Sequence, residues 1–199
     1  MPTHPHIEAR KSPRQERGKE TVRAILEAAT RILETRGASS LTLRELSRVS
    51  GASVGSIYQY FPGKDAILVA LLDAHLRECV AMVEKTVAEP PHGDHAQKID
   101  TIAVRLLEIH AARPQALAEA LEAVPRRIWE DRLRTAALGV ADDLCASHIH
   151  VDGAEVCDVA RAIEAIAHGV MLSPADLGSD RVRRLLARLI EACAPHPAS

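Results

Sequence analysis

The sequence predicts an all-α protein of about nine helices, with a small N-terminal three-helix domain ahead of a larger helical one. Three observations predict it. Apolar residues recur at helical spacing from Val22 onward. Beyond Lys64 no stretch alternates in the manner of a strand, and there is no internal repeat. Capping residues, glycines and prolines cut the chain into helix-length pieces. At 199 residues it is long enough for one small domain and one larger one. The expected division is a basic arm over 1–18, a three-helix unit over 19–64 and a larger helical domain over 65–199.

Taken in order, helix one is read from Val22, Ile25, Leu26, Ala29, Ile32 and Leu33, an apolar stripe that ends at Gly37. Helix two starts with a capping box, Thr42-Leu43-Arg44-Glu45. There the Thr42 hydroxyl accepts the Glu45 amide and the Glu45 side chain reaches back to the Thr42 amide, with Leu41 and Leu46 at hydrophobic-staple spacing. It runs to about Ser50, where Gly51 supplies a left-handed stop. Ser53 caps a short third helix that Phe61-Pro62-Gly63 terminates. Helix four spans about Asp65 to Glu89 and ends at Pro90-Pro91-His92-Gly93, a linker; helix five follows to Ala112. Pro114 and Pro125 suit the first turns of helices six and seven, the latter reaching about Ile149. Val151-Asp152-Gly153 is a turn, helix eight spans about Ala154 to Leu172, and a last helix runs from about Ser179 to Cys193.

Helix, glycine turn and short helix form a helix-turn-helix pattern. At about 100° per residue, Ile57 and Phe61 share one face of helix three with Val54 nearby, so that face packs inward, whereas Gly55, Ser56 and Gln59 point away. Tyr58 and Tyr60 lie on the flanks, where a phenol reaches a phosphate or base edge, and Lys64 is placed for a phosphate. A glycine inside a short helix costs roughly 1 kcal/mol against alanine, so Gly55 suggests that something approaches the backbone closely. Gln59 is of the type that pairs bidentately with adenine.

Charge divides the chain the same way. Residues 1–64 hold 11 Lys and Arg against 6 Asp and Glu, and residues 65–199 hold 14 against 21. A basic third suits a polyanion, and the acidic remainder is kept from it. Arg10, Lys11, Arg14, Arg17 and Lys19 surround Pro13 with no apolar period, as expected of an arm that is disordered until it meets phosphates. No long apolar run or leader sequence is present, which points to a soluble cytoplasmic protein without a membrane partner. Cys79, Cys145, Cys157 and Cys193 are widely spaced and read as reduced, mostly buried thiols. Nucleophile-elbow, phosphate-loop and zinc-protease motifs are missing, so no enzyme is expected.

Arg10 to Arg36 and the run Ser56-Ile57-Tyr58-Gln59-Tyr60-Phe61-Pro62-Gly63-Lys64-Asp65 resemble the arm, first helix and recognition helix of the TetR/AcrR family of bacterial transcriptional regulators. The resemblance covers about the first third of the chain. It implies that Thr42 and Lys64 contact phosphate and that Arg44 reaches a base edge or the backbone. Val54, Gly55, Ser56, Tyr58 and Tyr60 then face the major groove, with Ser53 and Gln59 in the same DNA-contact set. It also implies a ligand-responsive homodimer, most often a repressor, that binds a palindromic operator and is released by a small-molecule inducer; no cofactor is implied. Two related short helices read half-sites about 34 Å apart or more. The last two long helices suit the family's four-helix dimer interface, through Ile163, Ala167 and Val170 and through Leu185, Leu186 and Leu189.

The family's ligand cavity lies among helices four to eight. Beyond Phe61 the only aromatic side chain is Trp129, so an aliphatic pocket is expected, with Leu71, His75, Met82, Leu106, His110, Trp129 and Met171 as candidates, although core packing accounts for each of them as well. His75 and Cys79 are four apart on helix four, and His110, Cys145, His148, His150 and His168 lie in the same domain. Scattered His and Cys are usually not ligands, so no metal site is assigned, and a metal-sensing regulator is one alternative. A helical adaptor that binds DNA without sequence preference is the other.

Overall fold

The structure is a computed structural model that describes residues 16–89 and 95–146. Among these residues it is entirely helical: α1 (Glu16–Arg36), a 3-10 turn (Ala38–Ser40), α2 (Leu43–Ser50), α3 (Val54–Tyr60), α4 (Lys64–Ala88), α5 (His95–Ala111), α6 (Pro114–Ala123) and α7 (Arg126–Ala146). The eighth and last helices expected from the sequence fall outside the described residues, as do the arm residues before Glu16, Met171 and the expected dimer positions Ile163, Ala167, Val170, Leu185, Leu186 and Leu189. No described helix is long and apolar enough to cross a membrane.

The described chain forms two compact units. One takes in residues up to Ala74 together with Arg113–Trp129; the other takes in His75–Ala112 and the residues from Glu130 onward. Thus α4 contributes its first half to one unit and its second half to the other.

In the first unit α1 lies against α2 and α6, and α2 against α3. The apolar stripe of α1 drives this: Ile25, Ala28, Ala29, Ile32 and Leu33 are buried, with Val22 and Leu26 half-buried at its edge. Leu41 and Leu46 close the staple from α2, Ile57 and Phe61 enter from α3, and Ile67, Leu68 and Leu72 from α4. Each buried Ile, Leu or Phe side chain contributes roughly 1.5–3 kcal/mol by leaving water. α1 begins at Glu16, so Arg17 and Lys19, read as part of a disordered arm, stand in its first turns. The good helix formers around them override the absence of an apolar period.

Two carboxylates tie α6 to the DNA-binding-type helices. Glu34 Oε1 on α1 accepts the Ala116 amide at 2.6 Å. In return Glu119 Oε2 on α6 accepts the Ala38 amide at 2.8 Å. Each fills the role of an N-cap that the local sequence does not supply, since Arg113 and Gly37 make no side-chain cap. Gly37 makes the second contact possible. Its φ of 72° and ψ of 174° are a glycine conformation, and a Cβ there would come within 3.0 Å of Glu119 Oε1.

In the second unit the end of α4 is joined to α5 through Arg105. Its Nη1 donates to Thr86 Oγ1 at 2.7 Å and to Glu89 Oε1 at 3.1 Å, while the buried Thr86 hydroxyl donates to the Met82 carbonyl at 2.8 Å. Among the described residues of this unit, Leu106, Leu107, Leu133 and Ala137 are buried apolar residues of α5 and α7.

Candidate functional site

The helix-turn-helix is built from local rules. Thr42 caps α2 in an extended conformation, its hydroxyl accepting the Glu45 amide at 3.2 Å. The return half of the expected capping box does not form. Thr42 donates its amide to the Ser40 carbonyl at 3.0 Å, and the Glu45 carboxylate instead receives Arg36 Nη2 at 2.5 Å and Arg48 Nη2 at 2.6 Å. Two guanidiniums make stronger, charge-assisted bonds than one neutral amide. Hydrogen bonds from Arg48 and Arg36 hold the Glu45 carboxyl down to about 2.

Gly51 ends α2 in the left-handed region, with φ 73°. The turn is tightened by Ser50, whose hydroxyl donates to the Leu46 carbonyl at 2.6 Å and accepts the Ala52 amide at 3.2 Å. Ser53 then caps α3: its Oγ accepts the Ser56 amide at 3.0 Å and lies 2.8 Å from Ser56 Oγ. The Ser53 and Ser56 hydroxyls, both named as DNA contacts from the sequence, are therefore engaged in holding the helix start.

Ile57 and Phe61 are fully buried and fix the orientation of α3. Around that anchor Gly55 and Gln59 are exposed, Ser56 and Tyr60 half-buried, and Val54 and Tyr58 exposed at 38% and 44%. Val54 differs from its expected place near the inward face. It lies in the first turn, roughly 60° from Ile57, and the core does not extend to cover it. Val54 and Tyr58 are one helical turn apart, so an apolar strip faces outward with Gly55 beside it. Among the described residues a Cβ on Gly55 would meet only Ser53 Oγ, at 3.8 Å, so none of them requires glycine there. Thr42, Arg44 and Lys64 are exposed along the same segment, and Lys64 is the first residue of α4. The arrangement is a rigidly seated short helix presenting small, aromatic and amide groups, flanked by cations: it suits a groove of DNA.

The sequence reading missed Arg36, Arg48, Glu34 and Glu119. The i,i+3 spacing of Glu45 and Arg48 was a visible signal, whereas the other partners are brought in only by the fold.

The candidate ligand residues distribute between the units. Leu71, half-buried, and Trp129, buried, belong to the first; His75, Met82, Leu106 and His110 belong to the second. The Trp129 indole nitrogen is buried and has no hydrogen-bond partner among the described residues. In the second unit the structure brings His75 and His110 together, Nε2 to Nε2 at 3.1 Å, with the rings nearly perpendicular at 85°. Cys79 Sγ lies 3.7 Å from His75 Nε2. Burial, and secondarily Glu78, pushes the Cys79 thiol up to about 12.

Comparison with known proteins agrees with this geometry. Residues 25–71 match the profile of bacterial regulatory proteins of the tetR family. The chain is 28% identical over 174 residues to the HTH-type transcriptional regulator BetI of Brucella suis, an alignment covering 72% of this chain and 86% of that one. It is 30% identical over 133 residues to the HTH-type transcriptional regulator EthR of Mycolicibacterium smegmatis, covering 60% of this chain and 59% of that one. The fold is similar to that of the multidrug binding protein EbrR crystallised with imidazole, with a TM-score of 0.63, 22% identity, and coverage of 89% of this chain and 97% of that chain. It is also similar to the TetR-family repressor AlkX from Dietzia sp., with a TM-score of 0.62, 18% identity, and coverage of 94% and 95%.

Proposed function

We infer that this chain, which belongs to the TetR family of bacterial regulatory proteins, is a ligand-responsive repressor that binds a palindromic operator as a homodimer and leaves it when a small molecule binds. The observation that carries the reading is α3. Ile57 and Phe61 clamp it into the core while Val54, Gly55, Tyr58 and Gln59 are exposed, and the exposed Thr42, Arg44 and Lys64 are assigned here to phosphate and backbone contacts. Seven residues read few bases, so specificity in a genome calls for two copies on a two-fold axis. We place the dimer contacts on the two long helices expected after residue 153, through Ile163, Ala167, Val170, Leu185, Leu186 and Leu189.

For the effector, we propose a mainly aliphatic pocket with few polar anchors. The buried Trp129 indole, which has no hydrogen-bond partner among the described residues, supports this, because an N–H left unsatisfied costs about 1–3 kcal/mol and a ligand acceptor would recover it. Release of operator DNA requires a coupling of only about 1–3 kcal/mol between effector and DNA.

The test is selection of DNA from a random duplex pool by the purified protein near physiological salt. An enriched palindrome establishes the dimeric regulator and supplies the operator for inducer screening. Unrelated sequences bound with steep salt dependence would replace it with a sequence-independent adaptor.

A further inference from the structure

We propose that His75, Cys79 and His110 form a binding site for a zinc-class metal ion, joining the second half of α4 to α5. Their donor atoms, one from each side chain, lie within 4.8 Å of one another. The two histidines are buried and Cys79 half-buried, in a unit whose other buried residues are mostly apolar.

The distances carry the argument. In a tetrahedral site with metal–nitrogen bonds of about 2.0–2.1 Å and metal–sulfur bonds of about 2.3 Å, neighbouring nitrogens stand roughly 3.3 Å apart and a nitrogen and sulfur roughly 3.6 Å. Here His75 Nε2 and His110 Nε2 are 3.1 Å apart, and His75 Nε2 and Cys79 Sγ 3.7 Å. Two edges of the coordination polyhedron are thus already close to length. The i,i+4 spacing of His75 and Cys79 on α4 sets one of them, and the packing of α5 sets the other.

The outer contacts are those of a ligand histidine. His110 Nδ1 lies 2.8 Å from the Leu106 carbonyl, which can only accept, so Nδ1 carries the proton and Nε2 presents its lone pair toward His75. With both rings neutral and no metal bound, His75 donates from Nε2 to His110. On binding, His75 carries its proton at Nδ1 instead, the thiol of Cys79 loses its proton to solvent, and the ion takes two imidazole lone pairs and one thiolate. A donor set of two nitrogens and one sulfur suits zinc or copper(I) rather than a hard cation. The fourth tetrahedral position is left to water or a further donor. The ion would be held on α4, the helix whose first residue, Lys64, follows α3.

Titration of the full chain with cobalt(II), as a spectroscopic stand-in for zinc, tests the site without DNA, so its failure is separate from any failure of the regulatory reading. One equivalent is expected to give a thiolate-to-cobalt charge-transfer band and strong tetrahedral visible bands, both lost when one equivalent of zinc is added. Cys79→Ser is expected to abolish the charge-transfer band, and His110→Gln to weaken zinc binding at least about tenfold. No band in the wild type, or a band that persists in Cys79→Ser, overturns the site. Should either variant fail to fold, zinc-edge X-ray absorption of the wild type decides: two imidazoles and one sulfur uphold the proposal, and a shell without sulfur refutes it.

Discussion

Two glycines of the chain do opposite things, and backbone conformation separates them. Gly37 sits at φ 72° and ψ 174° with Glu119 against the position of a Cβ. Gly37→Ala is expected to cost about 1–3 kcal/mol, read as a lowered thermal midpoint. Gly139 lies within α7 with nothing among the described residues within 4 Å of a Cβ, so Gly139→Ala should raise stability by about 0.5–1 kcal/mol. On α3, Gly55→Asp places a negative charge where a DNA backbone or base edge is proposed to lie, and Tyr58→Ala removes the exposed ring. Both are expected to lose specific binding by about 5- to 150-fold, on the order of 1–3 kcal/mol, with unchanged circular dichroism and melting. Operator affinity equal to wild type in either variant would mean that α3 is not the reading element. Glu45 gives a pH signature. Its carboxyl is depressed to about 2 from 4.5, so its contribution to stability is fully present above pH 4.5 and is lost as pH falls toward 2. The difference in melting temperature between wild type and Glu45→Gln should therefore shrink across that window, and a difference unchanged at its acid end would show that the two arginines do not hold the charged form.

At the scale of elements, the helix ends say most. Thr42, Ser53 and Gly51 cap α2 and α3 with their own side chains or backbone, and these boundaries were legible within a residue because the partners are three or four positions away. α6 is different. Pro114 announces its first turn, yet Arg113 cannot cap it, and Glu34, 82 residues earlier, does so instead. Glu119 returns the favour at Ala38, across 81 residues. Removing either carboxylate as Glu34→Ala or Glu119→Ala is expected to destabilise by about 1–2 kcal/mol in urea unfolding, since a buried-side amide loses its acceptor. A null effect in both would mean that water replaces these caps without cost.

For the molecule as a whole, charge sets how DNA is met. Residues 1–64 carry five net positive charges while the total is −2, so attraction to a polyanion is confined to one part of the chain. Binding should weaken linearly in log affinity against log salt, with a slope of roughly −0.9 per phosphate neutralised. Arg44→Ala and Lys64→Ala should each reduce that slope by about 1 while leaving sequence preference largely intact. Both residues are exposed, and no ion pair competes for them among the described residues. If either variant changed the selected sequence instead, that cation would be reading a base rather than a phosphate.

The helices of the described residues, the helix-turn-helix, the buried Ile57 and Phe61 and the division of charge were all determined by the sequence alone. They rest on spacing of a few residues and on intrinsic preferences of glycine, proline and capping side chains. What only the tertiary structure decided are pairings between distant positions. Glu45 abandons its local amide for Arg36, α6 is capped from α1, and His110 meets a His75–Cys79 pair that spacing had already placed on one helix face. Local rules run along one helix, and no periodicity within a helix states which other helix will lie against it or in what register. That choice belongs to the burial of apolar faces as the helices pack, and the polar groups carried on those faces find their partners as a consequence.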